Sequence, residues 1–401
     1  MKIGIIKEGK TPPDSRVALT PEQCAHIKST FGIEVVAQYS DVRAYKDDEY
    51  AKAGIALVED VSDCDFLMGI KEVPIDMLIP EKQYSFFSHT IKKQSYNRKL
   101  LQAILEKNIS LVDYEVLTDD KGRRLIAFGY YAGMVGAHNA LYTYAQRSGA
   151  YEIKRLKDCF DYAEAKDSYK DINWPAIKIV LTGGGRVSSG AVKVLEDMGI
   201  EKVSPQDFLE KEFENIVFTQ IDCDNYVQRK DGGEFSFPDF FGNPEAYEST
   251  FAPYARAADV MINGIFWDNK APAFFTVEEM AQPDFKIKVI ADVTCDIAPV
   301  SSIPSTLRAS KISDPIFGFD PKTGKETTPH QEGVIDMMTI DNLPSEIPRD
   351  SSKAFGDMFI EHILPELVKK ESDVIQRATI AENGQLGEYF EYLADYVKGL
   401  E

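Results

Sequence analysis

The chain has 401 residues and a formal net charge of -20, with 44% hydrophobic and 27% charged residues. This length exceeds what one hydrophobic core usually holds, so two domains are expected. The strong negative charge argues against binding to nucleic acid or to anionic membrane surfaces, and no apolar run is long enough to span a membrane.

The five cysteines are scattered, and none forms a C-x-x-C pair. This distribution is typical of free thiols in a reducing compartment. The N-terminus has no extended apolar stretch of the kind found in secretory signals, and no spacing typical of metal ligands occurs. We therefore expect a cytoplasmic protein without a metal.

Short strand-like runs alternate with helical patterns over the first third of the chain. The strand-like runs cover 2–6, 33–36, 56–58, 66–70, 84–87 and 111–116, and the clearest helical pattern covers 95–107. This alternation predicts a parallel sheet with helices on both faces. A longer helical pattern follows at 130–147, and its small residues are typical of a helix that packs closely between two lobes.

Residues 177–199 read as a strand, a glycine turn and a helix. Gly183 and Gly185 match the first two glycines of the dinucleotide fingerprint G-x-G-x-x-G, whereas Ser188 holds the third position. Such glycines let the backbone approach a pyrophosphate, and the free N–H groups of the helix start bind it. An ordinary strand-to-helix turn is the alternative. The residues expected to bind a dinucleotide here are Gly183, Gly185, Arg186, Val187, Ser188 and Gly190.

The identity of the dinucleotide is open. An acidic residue about 20 positions beyond the first glycine normally binds the ribose of NAD. Val203 and Ser204 occupy that place here, and Asp207 lies further along. NAD and NADP both remain candidates, with Ser204 expected near the ribose.

The rest of the chain adds strands, an insertion and a C-terminal helical part. The predicted strands are 260–266, 288–293 and 334–340, the insertion is an irregular stretch at 228–253, and the helical patterns are 351–370 and 380–398. Because no third glycine unit occurs, we expect the C-terminal part to fold onto the first domain.

Lys71 and His89 each follow a predicted strand. Ligands bind at the carboxyl ends of strands in open α/β sheets, so a lysine and a histidine there predict an acid–base pair. A partly buried lysine has a lowered pKa, and neutral imidazole accepts a proton. The alternative is two solvated strand ends. Glu115 is either a buried carboxylate that tunes Lys71 or a charge at a strand end.

Arginines in the first domain are candidates for binding carboxylates. Arg16 follows the first strand, and Arg123 and Arg124 lie in a loop. A guanidinium group is the usual bidentate partner of a small carboxylate. In an acidic protein, such arginines equally serve to balance surface charge.

Several segments resemble a known family. KEGKTPPDSRVALTPEQ resembles the N-terminal signature of the alanine dehydrogenase and nicotinamide nucleotide transhydrogenase superfamily. GIKEVP, YSFFSHTIKKQ and DYEVLTDDKGRRLIAFGYYAG resemble one branch of it, the lysine-forming saccharopine dehydrogenases. INGIFW, EGVIDMMTIDNLPSEIPRDSSKAFGDM and the insertion resemble the lysine–2-oxoglutarate reductase portion of bifunctional lysine-degradation enzymes even more closely.

This resemblance implies two Rossmann-like, doubly wound α/β domains with a central cleft, the nucleotide domain being inserted in the first. The expected substrate domain is 1–135 with 320–401, and the expected dinucleotide domain is 136–319. The implied reaction joins L-lysine and 2-oxoglutarate reversibly, through an imine that takes a hydride from NAD(P)H, to give saccharopine.

The resemblance also implies roles for particular residues. Lys71 and His89 are the acid–base pair. The expected substrate site comprises Arg16, Gln94, Arg123 and Phe128, together with Glu115. On the cofactor side the resemblance adds Asn263, Gly264, Ile265 and Asp292. The run ADVTCDIAPV departs from the family's more polar sequence, which leaves the exact substrate open.

Two other functions are also compatible with the sequence. An alanine dehydrogenase or related amino-acid oxidoreductase needs one carboxylate clamp, so Arg16 would suffice and Arg123 and Gln94 would be idle. A nucleotide-binding subunit without its own chemistry, like a transhydrogenase component, has no use for Lys71 and His89. The physiological direction and any homo-oligomer also stay open.

Overall fold

The computed structural model describes residues 1–400, which form two compact units. The first unit comprises Met1–Phe128 and the chain from Pro348 onward, and the second comprises Gly129–Ile347. The strands are β1 (Lys2–Ile5), β2 (Glu34–Gln38), β3 (Ala56–Val58), β4 (Phe66–Met68), β5 (Gln83–Phe86), β6 (Ser110–Asp113), β7 (Lys178–Thr182), β8 (Glu201–Lys202), β9 (Val217–Ile221), β10 (Val227–Arg229), β11 (Tyr247–Ser249), β12 (Val260–Asn263), β13 (Val289–Asp292), β14 (Ile316–Asp320), β15 (Lys325–Thr327), β16 (Ile335–Met338), β17 (Thr379–Glu382) and β18 (Gln385–Leu386).

Helices connect most of these strands. The α-helices are α1 (Pro21–Phe31), α2 (Asp47–Lys52), α3 (Arg98–Glu106), α4 (Gly129–Ser148), α5 (Tyr162–Ser168), α6 (Arg186–Asp197), α7 (Pro205–Glu210), α8 (Cys223–Tyr226), α9 (Phe237–Gly242), α10 (Ala252–Ala257), α11 (Val277–Met280), α12 (Pro348–Met358), α13 (Leu364–Leu367), α14 (Asp373–Ala378) and α15 (Ala394–Lys398). The α/β class is confirmed.

The first sheet has the strand order β18-β17-β6-β5-β4-β1-β2-β3. Strands β1 to β6 pair in parallel throughout. Their order is that of a doubly wound dinucleotide fold, and it reverses direction between β1 and β4. Ligands bind beside such a reversal, outside the carboxyl ends of the strands.

The second sheet has the order β15-β14-β16-β13-β12-β7-β9-β8. Its central strand β7, KIVLT, is a nearly continuous apolar run, and both of its faces are buried. Strand β9, not β8, is the direct neighbour of β7. The hairpin β14–β15 closes the other edge in antiparallel orientation.

The boundaries between the units differ from the expected 135/136 and 319/320. They lie at 128/129 and at 347/348. Strands β14, β15 and β16 pair within the second sheet, so residues 316–338 belong to that unit. The whole of α4 packs against α6 and also belongs there. Which unit binds which ligand stays a prediction.

The predicted helix at 380–398 is wrong over its first part, whereas its second part is helical, as a 3-10 helix (Glu388–Leu393) followed by α15. Residues Thr379–Glu382 form β17, antiparallel to β6, and β18 follows after a turn at Asn383 and Gly384. Both turn residues have positive φ, 52° and 71°. An Asn-Gly pair is a strong hairpin signal, and here it overrides the helical spacing of the apolar residues.

Two further predictions need correction. The helix predicted at 351–370 is α12 and α13 with a π-turn, Phe359–Ile363, between them. Pro365 has no N–H to continue the regular α-helical pattern there. The stretch 228–253 is not a plain loop, because β10 and β11 form a two-stranded ribbon around α9.

Helices α4 and α6 touch through two glycines. A Cβ atom at Gly190 would lie 1.8 Å from the carbonyl oxygen of Tyr130, and one at Gly133 would lie 1.7 Å from that of Val187. No side chain fits at such distances, so the two helices lie backbone to backbone. In dinucleotide folds, the third glycine of the fingerprint allows the helix that follows the glycine turn to pack closely.

We predict that Gly190→Ala lowers the free energy of unfolding by about 3 kcal/mol, because the new methyl group forces the helices apart. Denaturant unfolding of the purified variant measures the change. The matched control is Gly185→Ala, since a Cβ there meets no atom within 4 Å. Equal stability of both variants would contradict this account of the packing.

Candidate active site

The predicted acid–base residues lie at the carboxyl ends of neighbouring parallel strands in the first unit. Lys71 follows β4 and His89 follows β5, next to the reversal of strand order. Burial lowers the pKa of Lys71, and the positive charge of Arg16 lowers it further. His89 has a left-handed backbone, with φ of 55°.

Glu115 follows β6 and contacts His89 directly. Its Oε2 atom lies 3.1 Å from His89 Nδ1, and its Oε1 atom lies 3.1 Å from Lys92 Nζ. Burial alone would raise the pKa of Glu115, but the hydrogen bond with His89 and the charge of Lys92 outweigh it and lower the pKa to about 2. Glu115 is therefore an acceptor at neutral pH, which favours the proton on His89 Nδ1 and leaves Nε2 as the proton acceptor.

A second carboxylate lies on the other side of the imidazole. Glu72 Oε1 is 3.9 Å from His89 Nε2 and, among residues 1–400, is buried without a hydrogen-bond partner. Its Oε2 atom accepts a hydrogen bond of 2.6 Å from Lys10 Nζ. His89 therefore lies between two glutamates, and a group bound at Nε2 also faces a carboxylate oxygen.

Two buried carboxylates hold the backbone around Lys71, His89 and Glu115. The sequence analysis did not identify them. Glu8, after β1, accepts hydrogen bonds from the backbone N–H groups of Ile70 (2.6 Å) and Lys71 (3.0 Å). Burial raises the pKa of Glu8 to about 7. A carboxylate that accepts hydrogen bonds from backbone N–H groups produces no recognisable pattern of residue spacing. The sequence therefore does not reveal Glu8.

Asp113 plays the same part at the next pair of strands. It accepts hydrogen bonds from the backbone N–H groups of Ser88 (3.0 Å) and Glu115 (2.7 Å), and also from the Ser88 hydroxyl. Burial raises the pKa of Asp113 to about 6. Asp113 thus fixes the backbone of Ser88, which precedes His89, and the backbone of Glu115, which contacts the His89 ring.

The expected substrate arginines lie in different environments. Arg16 is buried, with Nε at 3.0 Å and one terminal nitrogen at 2.6 Å from the two oxygens of Asp14, and its guanidinium lies 4.3 Å from the ring centre of Phe128. Arg123 is 72% exposed and pairs with Asp119 across a turn. Gln94 is exposed, and its side chain accepts a hydrogen bond from Tyr96. Their roles in binding substrate stay predictions.

The glycine turn of the second unit adopts a conformation that only glycine suits. Gly183 has φ of 99°, and a Cβ there would lie 2.8 Å from Ser188 Oγ. A Cβ at Gly184 would lie 2.4 Å from a carboxylate oxygen of Asp222. Gly185 borders open space in front of α6, so the turn and the helix start are accessible to a phosphate group.

Two residues predicted to bind the cofactor have other partners. Ser188 is fully buried, and its hydroxyl donates to the carbonyl oxygen of Thr182 at 3.0 Å. Gly190 faces Tyr130 in α4. The Ser188 hydroxyl therefore points into the protein, and a contact of this residue with the pyrophosphate stays a prediction. Arg186 and Val187 open the helix, where Arg186 is exposed.

Ser204, the residue expected near the ribose, lies one strand away from the glycine-turn strand β7. Ser204 caps α7, where its hydroxyl accepts a hydrogen bond from the N–H of Asp207, and it follows the edge strand β8. In the sheet, strand β9 lies between β7 and β8. Asp222 directly follows β9 and therefore lies at the strand end next to that of β7. Asp222 lies beside Gly184, where a ribose-binding carboxylate belongs.

A buried polar network joins the ends of β7, β12 and β13. Asn263 accepts a hydrogen bond from Thr182 (2.8 Å) and donates to Asp292 (2.9 Å). Asp292 also accepts hydrogen bonds from the hydroxyl groups of Thr294 (2.7 Å) and Thr306 (2.6 Å), and burial raises its pKa. Gly264 follows directly, within contact of Ser188. The network holds these strand ends rigidly beside the glycine turn.

The chain is similar to known proteins over most of its length. Residues 4–135 match the model of the alanine dehydrogenase/PNT N-terminal domain. A saccharopine dehydrogenase [NAD(+), L-lysine-forming] of Emericella nidulans is 31% identical, and the match covers 92% of this chain and 92% of the relative. The chain belongs to the lysine-forming saccharopine dehydrogenase family. The resemblance seen in the sequence is confirmed.

The relatives of this chain differ in length. Mitochondrial alpha-aminoadipic semialdehyde synthase of Bos taurus is 30% identical over 95% of this chain, but the match covers only 46% of that protein. The chain thus spans about half the length of such relatives. An L-alanine dehydrogenase structure matches with a TM-score of 0.66 at 14% identity, covering 99% of this chain and all of that one, which shows a shared fold.

Two other features are absent from the described residues. Within residues 1–400, no helix has the length and hydropathy needed to cross a bilayer. Over the same range, no cluster of three or more His, Cys, Asp or Glu side chains is arranged to hold a metal ion.

The low pKa of Glu115 predicts how this residue affects stability. The pKa falls from an ordinary 4.5 to about 2 on folding, so the ionised carboxylate stabilises the protein above pH 4.5, and this effect is lost as the pH falls toward 2. After allowance for solvent screening, we expect Glu115→Gln to lower the free energy of unfolding by about 1–2 kcal/mol at pH 7.

Urea unfolding at pH 7 and pH 3 measures this difference, which we expect to be smaller at pH 3. The exposed Glu371→Gln serves as the control for removal of one negative charge. A difference for Glu115→Gln that is larger at pH 3 than at pH 7 would contradict the assigned direction of the shift.

Proposed function

We propose that this chain is an NAD-dependent saccharopine dehydrogenase of the lysine-forming type, which condenses L-lysine with 2-oxoglutarate reversibly. The observation that carries the proposal is the match to the fungal enzyme over 92% of both chains. The His89–Glu115 pair and Lys71 at the end of the neighbouring strand support it, since forming and breaking an imine requires proton transfers near neutral pH.

The first unit is the proposed substrate domain and the second the proposed dinucleotide domain. Gly183, Gly184 and Gly185 with the N-terminus of α6 would hold the pyrophosphate, and Asp222 would accept hydrogen bonds from the adenosine ribose. When bound, the nicotinamide supplies or accepts a hydride. Asp222 favours NAD over NADP, because a carboxylate repels the 2′-phosphate.

His89 is the proposed base for the amine of lysine. With Nδ1 engaged by Glu115, the neutral ring accepts a proton from the substrate ammonium at Nε2, which generates the free amine that attacks the keto carbon. Glu115 then stabilises the imidazolium that results, as an ionised carboxylate beside the ring. Glu72, on the opposite side of Nε2, provides a carboxylate that attracts the substrate ammonium.

Lys71 is the proposed acid for loss of the hydroxyl group. Its ammonium donates a proton to the departing hydroxyl as the imine forms, and the neutral amine takes a proton from water during hydrolysis. Burial lowers the pKa of Lys71, which makes its ammonium a better proton donor than an exposed lysine. Arg16, Gln94, Arg123 and Phe128 are the residues proposed to bind the substrate carboxylates and chain.

The proposal also covers the cellular compartment and the binding partners. All five cysteines are free, which supports a reducing compartment such as the cytoplasm. The net charge of -20 makes nucleic acid an unfavourable partner. The partners we propose are therefore small molecules, namely lysine, 2-oxoglutarate and saccharopine, with self-association undecided.

We predict that Lys71→Met and His89→Gln each lower turnover with lysine, 2-oxoglutarate and NADH by about 10²–10⁴ and leave NADH affinity unchanged. The double variant should lose much less than the product of the two, since the residues act as one unit. Steady-state NADH oxidation measures turnover, and Lys99→Met, at an exposed site on α3, is the control.

The same assay with ammonia and pyruvate tests the main alternative. Faster NADH oxidation with that pair than with lysine and 2-oxoglutarate would refute the proposal in favour of an alanine dehydrogenase. Full activity of Lys71→Met with lysine and 2-oxoglutarate would refute the proposed mechanism.

The cofactor assignment yields a further prediction. Asp222→Asn keeps an oxygen that accepts the hydrogen bond from Cys223 N–H at the start of α8 but loses the negative charge. We expect the dissociation constant for NADH to rise about tenfold and the preference for NADH over NADPH to shrink. Titration of NADH and NADPH fluorescence measures both affinities. Asp224→Asn, on the same short helix, is the control, and an unchanged NADH/NADPH ratio in Asp222→Asn would exclude Asp222 as the ribose ligand.

A further inference from the structure

Residues 89–97, here called the 89–97 loop, lie between β5 and α3 and carry two residues of the candidate site. His89 opens the loop, and Gln94, one of the residues proposed to bind substrate, lies past its middle. His89 and Lys93 both have left-handed backbones, with φ of 55° and 54°. Residues other than glycine keep such a conformation only where the surrounding structure holds them. The loop therefore needs support near each of these two residues.

The support near His89 comes from β6. Asp113 accepts a hydrogen bond of 3.0 Å from the Ser88 N–H, and the Ser88 hydroxyl lies 2.8 Å from that of Thr90. Thr90 is fully buried. This network holds the start of the loop. Gln94 lies beyond the second left-handed residue, where a different element supplies the contacts.

That element comprises residues 388–398, here called the 388–398 segment, formed by the 3-10 helix and α15. The hydroxyl of Tyr396 donates a hydrogen bond of 2.6 Å to the backbone carbonyl oxygen of Gln94. The ring centre of Tyr392 lies 5.5 Å from Lys93 Nζ, within the range of a cation–π contact. The segment thus contacts the second left-handed residue and the residue that follows it.

The 388–398 segment is itself held in place by α3. Tyr396 is fully buried, and its ring centre lies 5.1 Å from the guanidinium of Arg98 at the start of α3. Gln102, also in α3, donates a hydrogen bond of 2.6 Å to the carbonyl oxygen of Val397. Because α3 directly follows the 89–97 loop, the segment fixes the end of the loop against the helix that continues from it.

The side chain of Gln94 is oriented from within the loop. Its Oε1 atom accepts a hydrogen bond of 2.7 Å from the Tyr96 hydroxyl. With Oε1 engaged in this way, the amide nitrogen is the group that donates to a substrate carboxylate. The hydrogen bond from Tyr396 to the Gln94 backbone therefore sets the position from which this amide reaches a ligand.

We propose that Tyr396 is a positioning residue for substrate binding and acts through the backbone of Gln94. The proposal rests on the proposed function, because it takes Gln94 as a residue that binds substrate. Tyr396 is buried and acts without touching the substrate. The 388–398 segment is thus a support of the substrate site as well as a part of the core of the first unit.

The test is a double-mutant cycle of Tyr396→Phe with Gln94→Ala, followed by steady-state NADH oxidation with lysine and 2-oxoglutarate. Tyr396→Phe removes only a hydroxyl, and the Gln94 carbonyl keeps its hydrogen bond of 3.0 Å from the Asn97 N–H, so the variant should fold. We expect Gln94→Ala to raise the KM of one substrate and Tyr396→Phe to raise that same KM about fivefold, with kcat within about twofold. In the Gln94→Ala background, Tyr396→Phe should raise the KM no further.

Tyr151→Phe is the matched control. Its hydroxyl also donates to a backbone carbonyl oxygen, that of Leu141 at 2.7 Å, but in the second unit. This variant should leave both KM values unchanged. An equal rise of KM in Tyr151→Phe would overturn the proposal, since the effect would then follow from the loss of any such hydrogen bond.

The outcomes separate this proposal from the function on which it rests. If the unaltered protein does not oxidise NADH with lysine and 2-oxoglutarate, the proposed function itself fails. If Gln94→Ala leaves both KM values unchanged, Gln94 does not bind substrate and the proposal fails with it. If Gln94→Ala raises a KM but Tyr396→Phe does not, or if the two effects multiply in the double variant, the positioning role of Tyr396 is wrong while the function stands.

Discussion

Hydrogen bonds from backbone N–H groups to two buried carboxylates are the constraint on which the candidate active site depends. Glu8 links the end of β1 to the segment after β4, and Asp113 links the end of β6 to the segment after β5. Four strand ends are thereby fixed with respect to one another. Lys71, His89 and Glu115 all extend from these segments, so their mutual geometry follows from the two carboxylates.

The same two carboxylates place chemical conditions on the site. Burial raises their pKa values to about 7 and about 6, and the hydrogen bonds that they accept counteract this effect. Each therefore favours the protonated form more than an exposed carboxylate does. Glu115 behaves in the opposite way, with a pKa of about 2, because its partners are cationic or proton donors. One small region thus holds carboxylates with very different proton affinities, which is typical of sites that perform acid–base chemistry.

The second unit joins its strand ends through a network of one carboxyl group with amide and hydroxyl side chains. Asn263 and Asp292, with Thr182, join three strand ends through hydrogen bonds. On the other side of β7, Gln220 donates a hydrogen bond of 2.9 Å to the carbonyl oxygen of Gly183. The glycine turn is therefore held on both sides, and its conformation is set before any ligand binds.

The sequence predicted the parts of this arrangement that follow from strand order. Lys71 and His89 follow predicted strands and Glu115 lies near the end of another, and the carboxyl ends of parallel strands share one edge of a sheet. Asp222, the proposed ribose ligand, could not be found from the sequence because the usual spacing assumes that the next strand along the chain pairs with the first. Here β9 takes that place. The antiparallel edge at 379–386 was missed because apolar spacing was given more weight than the Asn-Gly turn.

The measurement that tests the account most directly follows the hydride itself. NADH that carries deuterium at the transferred position is incubated with the protein, L-lysine and 2-oxoglutarate, and the product is examined by mass spectrometry and NMR. We expect saccharopine with one deuterium, on the carbon that was the keto carbon of 2-oxoglutarate. Oxidation of NADH without labelled saccharopine, or label at any other carbon, would contradict the proposed function.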